Sequence, residues 1–164
     1  MKTRKLTTLG LCVALALILS YVESLLPPLV AVPGVKAGLP NIVILFLLYR
    51  YGWREAGAVS LVRLVLSAAL FTGFAAFFYG LAGAVLSLFG SALLKKTDRF
   101  SPLGVSAAGG VLHNLGQIAL AALILDSGYV FAYLPVLLLS GVAAGALVGL
   151  LAGMLIRRTD VGNV

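Results

Sequence analysis

One apolar stretch in the last third of the chain carries the side chains best suited to chemistry. The run 102–125 has no charged residue and is long enough to cross a bilayer. It also holds His113, the single histidine of the protein, together with Asn114 and Gln117. On a helix these three side chains project into a sector about 100° wide. Because unpartnered amides and imidazoles in hydrocarbon are costly, we expect this face to point into a helix bundle or a wet cavity.

This polar face has two explanations. Its groups could bind neighbouring helices together by hydrogen bonds, which is a common use of amides in membranes. Alternatively they line a binding site, because polar residues inside a membrane segment mark functional sites by default. Gly109 and Gly116 lie beside them and allow a backbone or a ligand to come close. We favour the binding site, since three such groups coincide on one face.

The composition excludes an ordinary soluble domain. The chain has 164 residues, of which 62% are hydrophobic, and its mean hydropathy is +1.13. We therefore expect one integral membrane domain spanning residues 1–164. The single cysteine, Cys12, excludes a disulfide framework within the chain. The basic N-terminus and the apolar run after it resemble a signal peptide, but no A-x-A cleavage site follows, so we expect an uncleaved first helix.

Six apolar segments predict an all-α bundle of six transmembrane helices. The second segment is short, so it either extends back into the preceding loop or spans the membrane incompletely. Pro27-Pro28 ends the first segment, and a loop broken by proline and glycine follows at 29–40. The predicted segments are 6–26, 41–51, 55–71, 74–94, 102–125 and 133–156.

The basic residues predict the orientation of this bundle. With six spans, ten of the twelve lysines and arginines fall on one side, whereas Lys36 alone falls on the other and Arg63 lies inside the membrane. Cytoplasmic loops carry such an excess, so both termini are predicted to be cytoplasmic. The net charge of +7 is thereby explained as an orientation signal, and a nucleic acid partner is not expected.

No constellation of residues typical of an enzyme is present in the sequence. It contains no glycine-rich phosphate loop, nucleophile elbow or metal-spaced group of His, Cys, Asp and Glu. The five acidic residues are isolated from one another, whereas magnesium-dependent chemistry on a diphosphate normally needs clustered carboxylates. We therefore expect a protein that is not an enzyme and that has no metal or cofactor.

The remaining polar residues extend the candidate site. Arg63 is nine residues from Arg54, about 13 Å deep, where its charge needs a partner or water. It either pairs with Glu23, or bonds His113 or Asn114, or contacts an anionic group of a ligand, such as a carboxylate or phosphate.

Further candidates lie in the loop before the second segment. Lys36 and Asn41 belong to a stretch, 33–41, with two prolines and two glycines, which is either a lid over the outer mouth or an ordinary connector. The residues expected to bind a ligand are Arg63, His113, Asn114, Gln117, Lys36, Asn41 and Glu23.

Small residues recur at helical spacing in the first and last segments. In the last segment, Gly141, Gly145, Gly149 and Gly153 form three consecutive GxxxG steps. Such faces allow close approach of helices. They pack either inside the bundle or against another membrane protein. The first segment has two such faces, namely Cys12, Ala16 and Ser20, and Gly10 and Ala14.

Several of these features together resemble the Gx transporter family, many members of which carry the name heptaprenyl diphosphate synthase component I. The resemblance rests on the loop 33–41, on Arg63, on the stretch 106–117 with its H-N-x-G-Q motif, and on Leu134-Pro135. More distantly, the layout is similar to the S components of energy-coupling factor vitamin transporters. Those are six-helix membrane proteins that bind a substrate and dock a transmembrane coupling subunit through small residues on helix one.

The resemblance implies a multi-pass protein of the cell membrane that binds a small ligand, anionic or related to prenyl compounds and quinones, from the outer side. It also implies a coupling subunit with ATPases as a partner, docked through Gly10, Ala14, Cys12, Ala16 and Ser20. The alternative is a non-catalytic membrane subunit associated with polyprenyl diphosphate or quinone biosynthesis. Prenyl diphosphate synthases use D-D-x-x-D motifs, and this sequence has no two adjacent acids.

Overall fold

The computed structural model describes residues 2–26 and 36–161, and every regular element within them is helical. Pro27-Pro28 and the first part of the predicted loop, 29–35, lie outside the described residues. The α-helices are α1 (Lys2–Leu25), α2 (Asn41–Arg50), α3 (Trp53–Ser67), α4 (Gly73–Lys96), α5 (Pro102–Leu125) and α6 (Leu134–Val161). A π-helical turn (Ala68–Thr72) follows α3, and a 3-10 turn (Gly128–Tyr133) precedes α6.

The prediction of an all-α, multi-pass membrane protein is confirmed. Four helical stretches of the described residues are long and apolar enough to cross a membrane: Thr3–Leu25, Trp53–Lys96, Pro102–Leu125 and Gly128–Thr159. The helix α2 is apolar as well, but its ten residues reach only about 15 Å, half the thickness of the hydrocarbon core.

The longest of these stretches folds back on itself as a hairpin of α3 and α4. The reversal occurs at Gly73, whose φ of +79° is a conformation that glycine adopts without strain. A Cβ atom at Gly80 would lie 2.8 Å from Leu64, and one at Gly57 would lie 3.1 Å from Leu88. Contacts that pair earlier residues of α3 with later ones of α4 show that the two helices are antiparallel.

The glycine stripe of α6 packs against α5. A Cβ atom at Gly145 would lie 2.5 Å from the carbonyl oxygen of Ser106, and one at Gly141 would lie 2.9 Å from that of Gly110. Gly149 meets Leu103 in the same way, 2.6 Å from its Cα atom. Of the two explanations open from the sequence, these three glycines therefore serve packing inside the bundle.

The short helix α2 is the centre of the main hydrophobic core. Leu47 is fully buried and Leu48 is 2% exposed, and both belong to a cluster with Ala16 of α1 and Ala152 of α6. A helix that is apolar on all sides is expected to be buried. Its C-terminal end is fixed by Lys95 of α4, whose Nζ donates to the carbonyl oxygen of Leu48 at 2.7 Å.

Candidate functional site

The helices enclose a cavity of about 160 Å³ in the centre of the bundle, which we call the central cavity. All six α-helices contribute to its wall, and the segment 36–40 before α2 contributes as well. The structure brings every residue predicted to bind a ligand to this wall. These residues are Glu23, Lys36, Asn41, Arg63, His113, Asn114 and Gln117.

Arg63 is the buried charge of the central cavity. It lies on α3, is 7% exposed, and donates a hydrogen bond from Nη1 to the hydroxyl oxygen of Ser20 on α1 at 3.1 Å. Its Nε has no hydrogen-bond partner among the described residues. A buried guanidinium with an unused donor is costly to maintain and suits an anionic acceptor. The neighbour that bonds it is thus Ser20, which was not among the partners considered from the sequence.

Glu23 has a different contact from the one considered for it. Its carboxylate accepts hydrogen bonds from the backbone N–H groups of Gly38 and Leu39, the latter at 3.2 Å. Gly38 has φ +75°, and its carbonyl oxygen accepts from the backbone N–H of Asn41 at 2.9 Å. Glu23 therefore holds the segment 36–40 against α1, at one end of the central cavity.

Lys36 and Asn41 occupy the margin of the central cavity. Lys36 is exposed at the edge of the wall, whereas Asn41 is half-buried at the first position of α2. The wall contains two positively charged side chains, Lys36 and Arg63, and one carboxylate, Glu23. With His113 neutral, the lining therefore carries one net positive charge.

The polar face of α5 divides into residues with different partners. Asn114 is 8% exposed, and its Nδ2 donates to the carbonyl oxygen of Leu137 on α6 at 2.6 Å. The imidazole of His113 lies against α4, where a Cβ atom at Gly83 would be 2.8 Å from it. The Oε1 atom of Gln117 is buried without a hydrogen-bond partner among the described residues. Helix contacts thus engage Asn114 and His113, and Gln117 keeps a free acceptor.

Arg63 and Gln117 lie at similar depth in the bundle. The residue after Arg63 packs against Gly80 of α4, and the residue before Gln117 packs against the carbonyl oxygen of Ala82. These two contact points are two residues apart on α4, about 3 Å along its axis. Arg63 and Gln117 therefore line the same level of the central cavity from α3 and α5.

The hydroxyl groups that line the central cavity were not predicted from the sequence as part of the ligand site. A recognisable signal was available, since Ser60 and Ser67 flank Arg63 at helical spacing, and Ser87 and Ser91 are one turn apart on α4. A Cβ atom at a neighbouring glycine, Gly109, would lie 2.5 Å from Oγ of Ser91 and 3.2 Å from Oγ of Ser87. The wall contains Ser20, Ser60, Ser67, Thr72, Ser87, Ser91 and Ser106.

The two small-residue faces of α1 have opposite surroundings. Ala16 is fully buried, Ser20 is 8% exposed, and Cys12 packs against the main core, so other helices of the same chain cover this face. Ala14 and Gly10 are exposed, and a Cβ atom at Gly10 would meet no atom within 4 Å. Of the residues considered for docking, Gly10 and Ala14 are those that another chain can reach.

Among the described residues, no three His, Cys, Asp or Glu side chains come close enough to hold a metal ion.

The comparisons with known proteins place the chain in a family. No curated protein and no solved structure matched the chain. One family model, described as heptaprenyl diphosphate synthase component I, matches residues 12–155, a range that includes every residue of the central cavity's wall. The chain belongs to the heptaprenyl diphosphate synthase component I family.

Proposed function

We propose that this chain is a substrate-binding membrane protein of the S-component type, which takes a small ligand into the central cavity from the outer side of the cell membrane. The observation that carries the proposal is Arg63, a buried cation in the wall of the central cavity, with an unused donor. An arginine needed only to join α1 and α3 would bury all its donors in bonds between helices. Arg63 instead has one hydrogen bond among the described residues, from Nη1 to Ser20, and its side chain lines the central cavity.

The arrangement of basic residues supports six crossings with both termini in the cytoplasm. Lys5 of α1 forms an ion pair of 2.5 Å with Glu55 at the start of α3. Lys95 at the end of α4 bonds the end of α2, and the start of α5 packs against Gly149 near the end of α6. The basic segments therefore gather at one end of the bundle, as the positive-inside rule requires of a cytoplasmic end.

We propose that the central cavity opens at the other end. The segment 36–40 lies between the end of α1 and the start of α2, and Thr72 belongs to the turn between α3 and α4. Both line the cavity and are separated by a helix length from the basic end. A ligand would thus enter from outside, next to the segment that Glu23 holds in place.

The size of the central cavity supports a small ligand. Pockets for drug-sized molecules have about 300–1,000 Å³, whereas this one has about 160 Å³. A polyprenyl chain does not fit inside, so a prenyl or quinone-related ligand would leave its tail in the lipid. We also propose that the chain is not an enzyme, since the wall contains only one carboxylate, Glu23, and that residue is engaged with backbone N–H groups.

The family description favours a second candidate, a non-catalytic membrane subunit that works beside a polyprenyl diphosphate synthase. Mass spectrometry of molecules that co-purify with the protein separates the two. A small polar compound supports the binding protein, and a polyprenyl compound supports the subunit. In both cases the isolated chain is expected not to elongate prenyl diphosphates with magnesium present, and product formation by it would contradict both.

A variant pair links a co-purified compound to the central cavity. Arg63→Ala is expected to lose the compound, because a desolvated charged contact contributes about 2–5 kcal/mol. Val62→Ala is the matched control, since Val62 is 44% exposed on the same helix. Thermal stability is recorded in parallel. Retention of the compound by a folded Arg63→Ala variant would place the site elsewhere.

A further inference from the structure

Two buried polar atoms, on residues that line the central cavity, have unmet hydrogen-bonding capacity of opposite kinds. Nε of Arg63 is a charged donor, and Oε1 of Gln117 is a neutral acceptor, and neither has a partner among the described residues. Buried polar groups in folded proteins are almost always paired, so an unpaired atom on a residue that lines a cavity indicates what the cavity binds. One end of the ligand must accept a hydrogen bond, and another part must donate one.

The positions of the two atoms set how the ligand lies. Arg63 and Gln117 approach the same level of the cavity from α3 and α5, the two helices that flank α4. At this level α4 presents Gly80 and Ala84 to the cavity. These side chains are too small to fill the space between the flanking helices. A ligand is therefore expected to lie across α4, with its two polar ends towards α3 and α5.

The charge of the wall limits the charge of the ligand. Arg63 and Lys36 are positive, and Glu23 is negative, so a ligand with one negative charge neutralises the wall. A dianion such as a phosphate monoester would leave an uncompensated charge in a low-dielectric environment, which is costly. A carboxylate is the single-charged group that a guanidinium binds best, through two parallel hydrogen bonds.

The volume of the central cavity limits the size of the ligand. The cavity has about 160 Å³, whereas pockets for drug-sized molecules have about 300–1,000 Å³. The ligand is thus a small molecule.

We infer that the central cavity binds a small monocarboxylate, with its carboxylate on Arg63 and a hydroxyl or N–H donor, several bonds away, on Gln117. The inference rests on the proposed binding function and specifies its ligand class. It assigns Gln117 to specificity, whereas Asn114 and His113 contact neighbouring helices.

Three matched probes test this ligand class with the purified full-length protein. The probes are 6-hydroxyhexanoate, hexanoate, which lacks the donor, and 6-hydroxyhexanamide, which lacks the charge. Titration calorimetry is expected to show that 6-hydroxyhexanoate binds at least about tenfold more tightly than either of the others. Hexanoate loses the hydrogen bond to Gln117, and the amide keeps a neutral acceptor for Arg63 but loses the charge that strengthens that bond. Hexyl phosphate is the fourth probe, and tighter binding of it than of 6-hydroxyhexanoate would overturn the choice of a carboxylate.

Two variants assign the preferences to their residues. Gln117→Leu is expected to bind 6-hydroxyhexanoate and hexanoate equally, without loss of thermal stability, because the substitution removes a buried acceptor that has no partner. Arg63→Lys keeps the charge and serves as the conservative variant of Arg63. It is expected to retain part of the preference for the carboxylate over the amide, whereas Arg63→Gln loses it. An unchanged preference for the hydroxyl group in Gln117→Leu would overturn the inference.

The remaining outcomes separate this inference from the proposed function. If a neutral or dianionic small molecule co-purifies and none of the four probes binds, the binding function stands and the ligand class is wrong. If no small molecule co-purifies and no probe binds at millimolar concentration, both are wrong. Equal binding of all four probes would also overturn the ligand class.

Discussion

Asn114 on α5 donates a hydrogen bond from Nδ2 to the carbonyl oxygen of Leu137 on α6 at 2.6 Å. The same amide lies 3.3 Å from Oγ of Ser140, which itself donates to that carbonyl at 3.1 Å. Leu137 is 6% exposed and belongs to the smaller hydrophobic cluster of the bundle. The amide of Asn114 therefore joins two helices at the wall of the central cavity and has less capacity left for a ligand.

We predict that Asn114→Ala lowers the free energy of unfolding by about 0.5–2 kcal/mol, the usual contribution of a hydrogen bond between membrane helices. Ser140→Ala is the control and is expected to have a smaller effect, because the direct bond from Asn114 to Leu137 remains. Unfolding in detergent, followed by circular dichroism, measures both variants. Loss of probe binding in Asn114→Ala at unchanged stability would show that the amide acts on the ligand instead.

The packing of α6 on α5 leads to a second prediction, for a matched pair of glycines. Gly145→Ala is expected to destabilise the protein by about 1–3 kcal/mol, since the new methyl group would lie 2.5 Å from a backbone oxygen of Ser106. Gly153→Ala, two turns later on the same helix, meets nothing closer than 3.9 Å, the distance to Pro102. That variant is expected to be neutral or slightly stabilised by the better helix propensity of alanine. Equal thermal stabilities of the two would contradict the helix contact.

Hydrophobic runs and their interruptions predict most helix ends of this protein from sequence. The fifth helix begins and ends as predicted, at Pro102 and Leu125, because Ser101 caps its start and Asp126 takes a left-handed conformation at its end. The predicted third segment, 55–71, continues past the α-helix, which ends at Ser67 and passes into the π-helical turn. Hydropathy does not distinguish an α-helix from such a turn.

Contacts between helices are what the sequence does not reveal. The buried position of α2 depends mainly on its contacts with α1, α3 and α6, and its all-round apolar surface shows no direction. The different hydrogen bonding of the polar residues on α5 is hidden for the same reason. Asn114 and Gln117 are both amides, and only the position of Leu137 on α6 distinguishes them. The two small-residue faces of α1 look alike in sequence, and only the packing of other helices of the chain on Ala16 distinguishes them.

The membrane topology can be tested at two exposed positions. In a Cys12→Ala background, we predict that Gly128→Cys reacts with a membrane-impermeant thiol reagent in intact cells, and that Lys96→Cys reacts only after permeabilisation. Both positions are exposed, and a Cβ atom at Gly128 meets no atom within 4 Å, so neither substitution should disturb the fold. Labelling of Lys96→Cys from outside would contradict six crossings with cytoplasmic termini.

The exposed small-residue face of α1 provides the last prediction, on docking to a coupling subunit. If Gly10 and Ala14 allow close approach of a partner helix, Gly10→Leu and Ala14→Leu are expected to abolish co-purification with that subunit. Neither is expected to lower thermal stability, because Ala14 is exposed and a Cβ atom at Gly10 meets no atom within 4 Å.

The control for this docking test is the same substitution on another lipid-exposed surface. Ala143 on α6 is exposed, and Ala143→Leu is expected to leave co-purification unchanged. Ala16→Leu marks the opposite case, since Ala16 is fully buried and a leucine there is expected to destabilise the protein by overpacking. If Gly10→Leu and Ala14→Leu co-purify with the subunit as well as Ala143→Leu does, this face contacts lipid alone and the partner docks elsewhere.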